Sequence, residues 1–287
     1  MAEQSNDDSS GLVRDLIDER ANAWSLDDVD PAFQNRLLTI WKPIMDHYFR
    51  MEIGGWERLP PAPSLLIGVH ASGLLPIDAY LTGFQWYRHF GADRPLHGTA
   101  HDVLMSLPGW GAFMRKIGTV PASAESISTT LGAGHDVILW PGGDLDALRP
   151  WTQRDQVVLG GRSGFIKLAI RTGVPIVPVA TTGGSDTLIM LTGGRGLAKR
   201  LRVDRVLRAK TMPIALGFPL GVAPGVVPQL PLPAKIRTEF CEPVELSDDP
   251  ERAGDDDYVQ SKYDEVEAAL QAGMARLAKK RRFPIFG

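Results

Sequence analysis

The chain has 287 residues, 44% of them hydrophobic and 23% charged, which excludes a disordered, collagen-like or disulfide-scaffold protein and leaves one large globular domain as the default. Its net charge of −3, from 31 bases and 34 acids, excludes the basic excess of a nucleic-acid-binding domain. The single cysteine, Cys241, closes no intramolecular disulfide, and acids stand where a signal peptide needs a basic start, so the chain reads as intracellular.

Charge is segregated along the sequence. Residues 1–30 carry nine acids (Glu3, Asp7, Asp8, Asp15, Asp18, Glu19, Asp27, Asp28, Asp30) against Arg14 and Arg20, and read as an acidic, partly disordered N-terminal segment. Residues 31–287 read as a single domain.

Asp30-Pro31 supplies an aspartate cap and a first-turn proline for a helix whose apolar residues Phe33, Leu37, Trp41, Ile44 and Tyr48 recur at three to four, with Pro43 kinking it. Ser64 to Val69 is a short apolar run, predicting a strand buried on both faces with His70 at its C-terminal end. A helix follows over Pro76 to His89, then one near Val103 to Lys116. Next come a short strand about Thr119 to Pro121, a helix over Ala124 to Leu131, and a strand Asp136 to Trp140 running into Pro141-Gly142-Gly143. A helix over Arg162 to Arg171 leads into the strand Val174 to Val179; a further strand lies near Ile236 to Cys241, and 248–257 is an acidic loop. The closing helix holds Val259, Tyr263, Val266, Leu270, Met274 and Leu277 on one face. The alternation predicts an α/β fold: a mainly parallel central sheet flanked by helices, with an N-terminal helical segment, a C-terminal amphipathic helix and ligands at the strand C-terminal ends.

A transmembrane helix needs roughly 20 apolar residues. The long uncharged window, Met212 to Ala234, has six prolines plus Gly217, Gly221 and Gly225, which break a lipid-facing helix; it reads instead as a lining for lipid.

The six histidines offer no zinc-site spacing completed by acids or cysteine; His97 and His101 are four apart, but Leu96 to His101 reads as a strand-to-helix junction. No metal and no bound cofactor are expected. Neither a Walker loop nor a dinucleotide fingerprint follows a strand, and Ser72 lacks the nucleophile-elbow spacing of a serine hydrolase. His70 is the residue that stands out, because a strand-end imidazole is followed by Ser72-Gly73 and by Asp78 at a helix start. A carboxylate accepting from one ring nitrogen fixes the tautomer and leaves the other as a base toward a hydroxyl; the structural alternative is a histidine satisfied by backbone.

Six landmarks follow in order: Gly54 to Pro60, His70 to Asp78, Gly118 to Ser123, Trp140-Pro-Gly-Gly143, Arg162 to Ala169 and Val174 to Val179. Together they resemble the glycerolipid (lysophospholipid) acyltransferase superfamily, in particular its diacylglycerol acyltransferase type 2 and phytyl ester synthase-like branch, over about residues 45 to 245. The resemblance implies an acyl-CoA-dependent O-acyltransferase in which His70 is the general base, no acyl-enzyme forms, and acyl-CoA is a co-substrate rather than a bound cofactor.

The departures from the family pattern carry information. Histidine, four residues, aspartate is the common motif, whereas Leu75 stands at that place and the first acid is Asp78. Either Asp78 still orients His70, the reading adopted, or Asp144 or Asp146 does. The family's proline, glutamate, glycine and following arginine are here Pro141, Gly142, Gly143 and Asp144, and a frequent arginine near the second motif is replaced by Ala124. Those charged residues accompany phosphate-bearing acceptors in the family, so their absence implies a neutral glycerolipid or long-chain alcohol. Arg162 matches a basic family position and is assigned to CoA phosphate or acceptor, its alternative being a helix-start arginine paired with an aspartate. Substrate-binding residues are therefore Ser72, Gly73, Pro141, Gly142, Gly143, Asp144 and Arg162, around the catalytic pair His70 and Asp78.

Residues 193–210 carry seven bases against Asp204, with Leu197, Leu201, Val206 and Leu207 among them. Such a stretch reads as a membrane-surface contact through Arg195, Lys199 and Arg202, or else as a solvated basic helix. Lys279 to Arg282 with Phe283 and Phe286 reads as a second anchor or as a helix end with favourable dipole charges. The expected protein is a cytoplasmic enzyme, peripheral on the inner face of a membrane, whose partners are acyl-CoA and a lipid acceptor, with no nucleic acid. Its alternatives are a lysophospholipid or glycolipid acyltransferase of the same fold, or an inactive lipid- or acyl-CoA-binding protein.

Overall fold

The computed structural model describes residues 15, 17–70, 76–194, 213–225, 227, 229–281 and 283. Within the acidic segment, residues 17–22 are helical and Ala21 is buried beside Ala100, Met105 and Met114. Helix α1 (Pro31–Pro43) starts as its sequence dictates, with the Asp30 carboxylate accepting the Phe33 N–H at 2.9 Å and Pro31 in the first turn. At Pro43 the α geometry ends in a π-helical turn over Ile44–Tyr48, which is the form the kink takes.

Thereafter come β1 (Glu52–Gly54), β2 (Leu65–Gly68), α2 (Ile77–Phe90), β3 (Leu96–Ala100), α3 (Asp102–Ser106), α4 (Trp110–Lys116) and β4 (Val120–Pro121). They are followed by α5 (Ala124–Gly132), β5 (Asp136–Leu139), α6 (Gly143–Ala147), α7 (Gly164–Thr172), β6 (Ile176–Thr182), β7 (Ile189–Thr192), β8 (Ile214–Gly217), β9 (Gly221–Pro224), β10 (Arg237–Phe240) and α8 (Asp256–Lys279).

Seven strands form one sheet in the order β1-β10-β6-β2-β5-β3-β4. From β6 to β4 every pairing is parallel; β10 runs antiparallel to β6 and carries β1 parallel to itself. The sheet is thus mainly parallel and flanked by helices, as its alternating pattern requires. Strand β2 sits centrally between β5 and β6, with Leu65 opposite Val137 and Ile176. Its residues alternate by face: Leu65 and Ile67 join a core with α5, α7 and α8, while Leu66 packs with Trp86 of α2 and Phe240 of β10. The stripe Val259, Tyr263, Val266, Leu270, Met274 and Leu277 of α8 is wholly buried in the first core, each large side chain contributing about 1.5–3 kcal/mol over exposure. Asp255, in the segment read as an acidic loop, caps that helix by accepting the Tyr258 N–H at 3.0 Å.

The expected helix over Val103 to Lys116 is two helices. Leu107 precedes Pro108, which disfavours helical backbone there, and Gly109 turns the chain at φ 73°. Leu96 to His101 is the strand-to-helix junction expected: β3 runs over Leu96–Ala100 and His101 caps α3. Among the described residues, the uncharged window contributes none to the cavity beside His70; it forms β8 and β9, which pair antiparallel and join β7 in a separate three-stranded sheet. Arg281 of the C-terminal basic run turns inward, its side chain 6% exposed and paired with the buried Asp186, so it is no surface anchor. The basic stretch with Arg195, Lys199 and Arg202 lies outside the described residues, as does most of residues 1–16. Among the described residues no helix is long and apolar enough to cross a membrane.

Candidate active site

The central position of β2 decides where His70 stands: two residues past the strand's end, at the C-terminal edge of the parallel strands, where α/β sheets bind ligands. Asp78 lies in the first turn of α2 and is 2% exposed. His70 Nδ1 is buried, makes no hydrogen bond, and faces Asp78 Oδ2 at 3.9 Å, about 1 Å beyond hydrogen-bond distance. The eight-residue separation of the two therefore still brings carboxylate and imidazole together, across residues 71–75, which include Ser72 and Gly73 and lie outside the described residues.

Two further contacts hold the histidine. The Trp140 indole, at the end of β5, stacks on its ring with centroids 4.9 Å apart and planes 9° from parallel. That stack needs a glycine in β2: a Cβ on Gly68 would stand 2.3 Å from Trp140 Nε1. The His70 backbone N–H donates to a carboxylate oxygen of Asp146, on α6. Asp146 in turn pairs with Arg149, both side chains nearly fully buried, and Arg149 Nη2 donates to the Arg154 carbonyl at 3.1 Å. Burial pushes the Asp146 carboxyl up to about 7, against the opposing pull of Arg149 and His70. Asp146 thus anchors the main chain of His70 and not its ring, while Asp78 faces the ring; Asp144 lies on α6, its side chain outside the described set.

The Pro141-Gly142-Gly143 turn closes under this pair. A Cβ on Gly142 would stand 2.1 Å from the Val158 carbonyl oxygen, so the turn packs against the chain there with no room for a side chain. Gly143 takes φ 53°, and Arg162 lies over it, its Nη1 donating to the Pro141 carbonyl at 2.9 Å.

A cavity of about 1050 Å³ opens beside His70. Its wall at this end is His70, Trp140, Gly143 and Arg162, and Arg162 is the only lysine, arginine or acid among the described lining residues. The α2 side is apolar, with Ala79, Tyr80 and Phe84, and at the far end stand His97 and His135, whose Nε2 and Nδ1 are 3.0 Å apart. His97 pairs with Val137, and Val137 with Leu65, so His97 lies level with a residue five before His70, about 16 Å along the sheet. Burial and the neighbouring His135 bring His97 down to about 4. Among the described residues no group of three or more histidines, cysteines or acids is placed to hold a metal ion.

Of the predicted residues the structure brings together His70, Asp78, Pro141, Gly142, Gly143 and Arg162 at one edge of the sheet. Sequence reasoning left three features unassigned: the Trp140 stack, the anchoring of His70 by Asp146 and the His97–His135 pair. The signal for Trp140 was present, an aromatic residue directly before a Pro-Gly-Gly turn at a strand end.

His70 and Asp78 thus stand at a strand edge beside a largely apolar cavity, behind a glycine turn. A family model described as Acyltransferase matches residues 50–182. An uncharacterized protein of Mycobacterium leprae is 30% identical over 260 residues, covering 90% of this chain and 68% of that protein. Chloroplastic phytyl ester synthase 1 of Arabidopsis thaliana is 24% identical over 284 residues, covering 90% of this chain and 38% of that protein. The crystal structure of the 1-acyl-sn-glycerophosphate acyltransferase PlsC from Thermotoga maritima shares the fold, at TM-score 0.50 and 17% identity over 95% of this chain and 90% of that one. The chain belongs to this acyltransferase superfamily, in its diacylglycerol acyltransferase 2-like branch. It is an acyltransferase.

Proposed function

We propose that this enzyme transfers a fatty acyl chain from acyl-CoA to the hydroxyl of a lipid, at the inner, cytoplasmic face of a membrane. The observation that carries the reading is His70 on the cavity wall, with Nδ1 buried toward Asp78 and the ring braced by Trp140. With Nδ1 turned toward Asp78 and closing on it when substrate binds, Nε2 is the nitrogen left to take the acceptor's proton. As it does so, the hydroxyl oxygen forms its bond to the thioester carbonyl carbon. When the tetrahedral intermediate collapses, the carbon–sulfur bond breaks and the proton passes from Nε2 to the leaving thiolate, giving the ester and free CoA thiol. Neutral His70 is thereby restored without an acyl-enzyme.

Ser72, Gly73 and the 141–144 turn are the groups we assign to the reacting carbonyl and acceptor, and Arg162 to a phosphate of CoA or to the acceptor. A single permanent charge among the described lining residues suits a neutral glycerolipid or long-chain alcohol better than a phosphate-bearing acceptor, whose recognition ordinarily recruits several cations. Arg162 at the cavity edge keeps a lysophospholipid as the second reading.

One assay separates the two. Thiol release from acyl-CoA is followed with monoacylglycerol, diacylglycerol, a long-chain alcohol and lysophosphatidic acid, for the wild type and His70→Ala. Release with the neutral acceptors, lost in a folded His70→Ala protein, is the expected result. Preference for lysophosphatidic acid moves the acceptor to a phospholipid, and full activity of His70→Ala overturns the mechanism.

A further inference from the structure

The small sheet of β7, β8 and β9 has its apolar residues on the wrong side for a water-soluble surface. An antiparallel sheet packed on one face normally shows polar residues on the other. Along β8, Ala215 and Gly217 point inward and are buried, while Leu216 between them points out. Leu216 is register partner to Val222 of β9, so the two stand side by side on the outer face. At the hairpin end Phe218 and Leu220 follow, and Phe218 bridges to Leu230. Exposures are 60% for Phe218, 54% for Leu220, 64% for Val222 and 60% for Leu230, against 0% for Ala215.

None of these residues lines the cavity, and the sequence from Thr211 to Ala234 contains no charged residue. A contiguous exposed apolar surface of this kind marks a site of contact with another apolar phase. The segment that follows the hairpin is tied to the body of the protein: Tyr48 donates its hydroxyl to the Pro231 carbonyl at 2.7 Å and Arg50 Nη2 to the Pro233 carbonyl at 2.9 Å. Tyr48 is the last residue of the π-helical turn at the end of α1, and Arg50 lies two residues beyond it.

The chain adjoining the hairpin selects the occupant. Between β7 and β8 the sequence carries seven bases and one acid in residues 195–210, so in sequence a basic stretch precedes the strand that leads to the apolar tip. Apolar side chains next to a local basic excess complement a bilayer interface with anionic headgroups, where each base near the surface adds to binding. Tyr48, 41% exposed with its hydroxyl already satisfied by Pro231, is an aromatic of the kind that sits at headgroup level.

The geometry points to the β8–β9 hairpin as the membrane-docking element of this enzyme, with Phe218 and Leu220 entering the headgroup–acyl boundary of an anionic bilayer. This rests on the lipid-acceptor reading and adds to it the surface by which the enzyme reaches its substrate.

The test is co-sedimentation with phosphatidylcholine vesicles with and without phosphatidylglycerol, for the wild type and the double variant Phe218→Ser/Leu220→Ser. Wild-type binding that rises with the anionic lipid and falls at least tenfold in the double variant is expected, while thiol release with a water-dispersed short-chain alcohol stays within twofold. Equal binding by both proteins overturns the proposal, as does a wild-type dimer in sedimentation velocity that the double substitution converts to monomer, since the patch is then a protein interface. If the double variant fails to fold, Phe218→Cys carries an environment-sensitive dye while Cys241 stays buried. A blue shift with quenching by brominated lipid supports insertion, and an unchanged spectrum overturns it. A protein that docks through this hairpin yet releases no thiol with any acceptor sinks the catalytic reading alone.

Discussion

His70 and Asp78 face each other across 3.9 Å, with the imidazole Nδ1 and the carboxylate both withdrawn from solvent. A shift of about 1 Å completes the hydrogen bond, and catalytic hydrogen bonds are often long in ligand-free structures and tighten when substrate binds. Asp78→Asn keeps the shape but removes the acceptor charge that stabilises the imidazolium. Its kcat is expected to fall on the order of 10²-fold, with KM for acyl-CoA little changed. Asp146→Asn serves as the comparison: if it loses more kcat than Asp78→Asn while remaining folded, the wrong carboxylate has been assigned.

Gly68→Ala tests the Trp140 stack without touching the acceptor side of His70. The added Cβ would stand 2.3 Å from Trp140 Nε1, so the indole must move and release the histidine ring. We expect a loss of about 1–3 kcal/mol in stability from overpacking, together with a fall in kcat. A thermal melt and a turnover assay on the same preparation check both; an unchanged kcat at lowered stability shows that the stack is only packing.

Asp146 and Arg149 are buried together, and Asp146 also holds the His70 N–H. Replacing Asp146 by Ala strands a buried guanidinium and a main-chain donor at once, a change that costs roughly 3–5 kcal/mol. Urea unfolding of Asp146→Ala reads the loss directly. A penalty under about 1 kcal/mol is what solvent-exposed pairs show, and would mean the pair is open to water.

His97 and Asp146 give opposite pH dependences. His97 sits at about 4 in the folded protein against an ordinary 6.5, so the unfolded chain takes up a proton that the folded one refuses; its contribution is present above pH 6.5 and is lost as pH falls toward 4. Asp146 sits at about 7 against 3.8, so its contribution is present below pH 4 and is lost as pH rises through 7. Each amounts to at most about 3–4 kcal/mol. His97→Asn, compared with the wild type by urea midpoints from pH 7.5 to 4.5, should therefore gain relative stability on acidification, and Asp146→Asn should lose it. Parallel curves for variant and wild type would show that neither group titrates in that window.

The parts legible from sequence are those where burial writes a period. Leu65 to Gly68, Asp136 to Leu139 and Ile176 to Thr182 are buried on both faces and read as apolar runs, and α8 shows its stripe at intervals of three and four. Strand β3 was legible only as part of a junction, because Leu96-His-Gly-Thr-Ala100 holds few large apolar residues and one face of it borders the cavity. The hairpin was obscure for another reason: an uncharged run with six prolines matches neither period, and its outward residues are apolar where pattern reading takes apolar to mean inward. At the site, order along the chain pointed to His70 and Asp78. The Asp146 contact runs through a main-chain N–H, and no side-chain pattern encodes it.

The sheet is not assembled in the order in which it is read out. Strand β2 has both its neighbours, β5 and β6, once residue 182 has been made, so the edge bearing His70 can form while the rest of the chain is still being synthesised. Strand β1, although the earliest in sequence, has no partner until β10 arrives at residues 237–240, nearly two hundred residues later. A ribosome-bound or prematurely ended chain would therefore carry a nascent reaction centre beside an unfinished sheet margin at β6, and only the last portion of the polypeptide seals it.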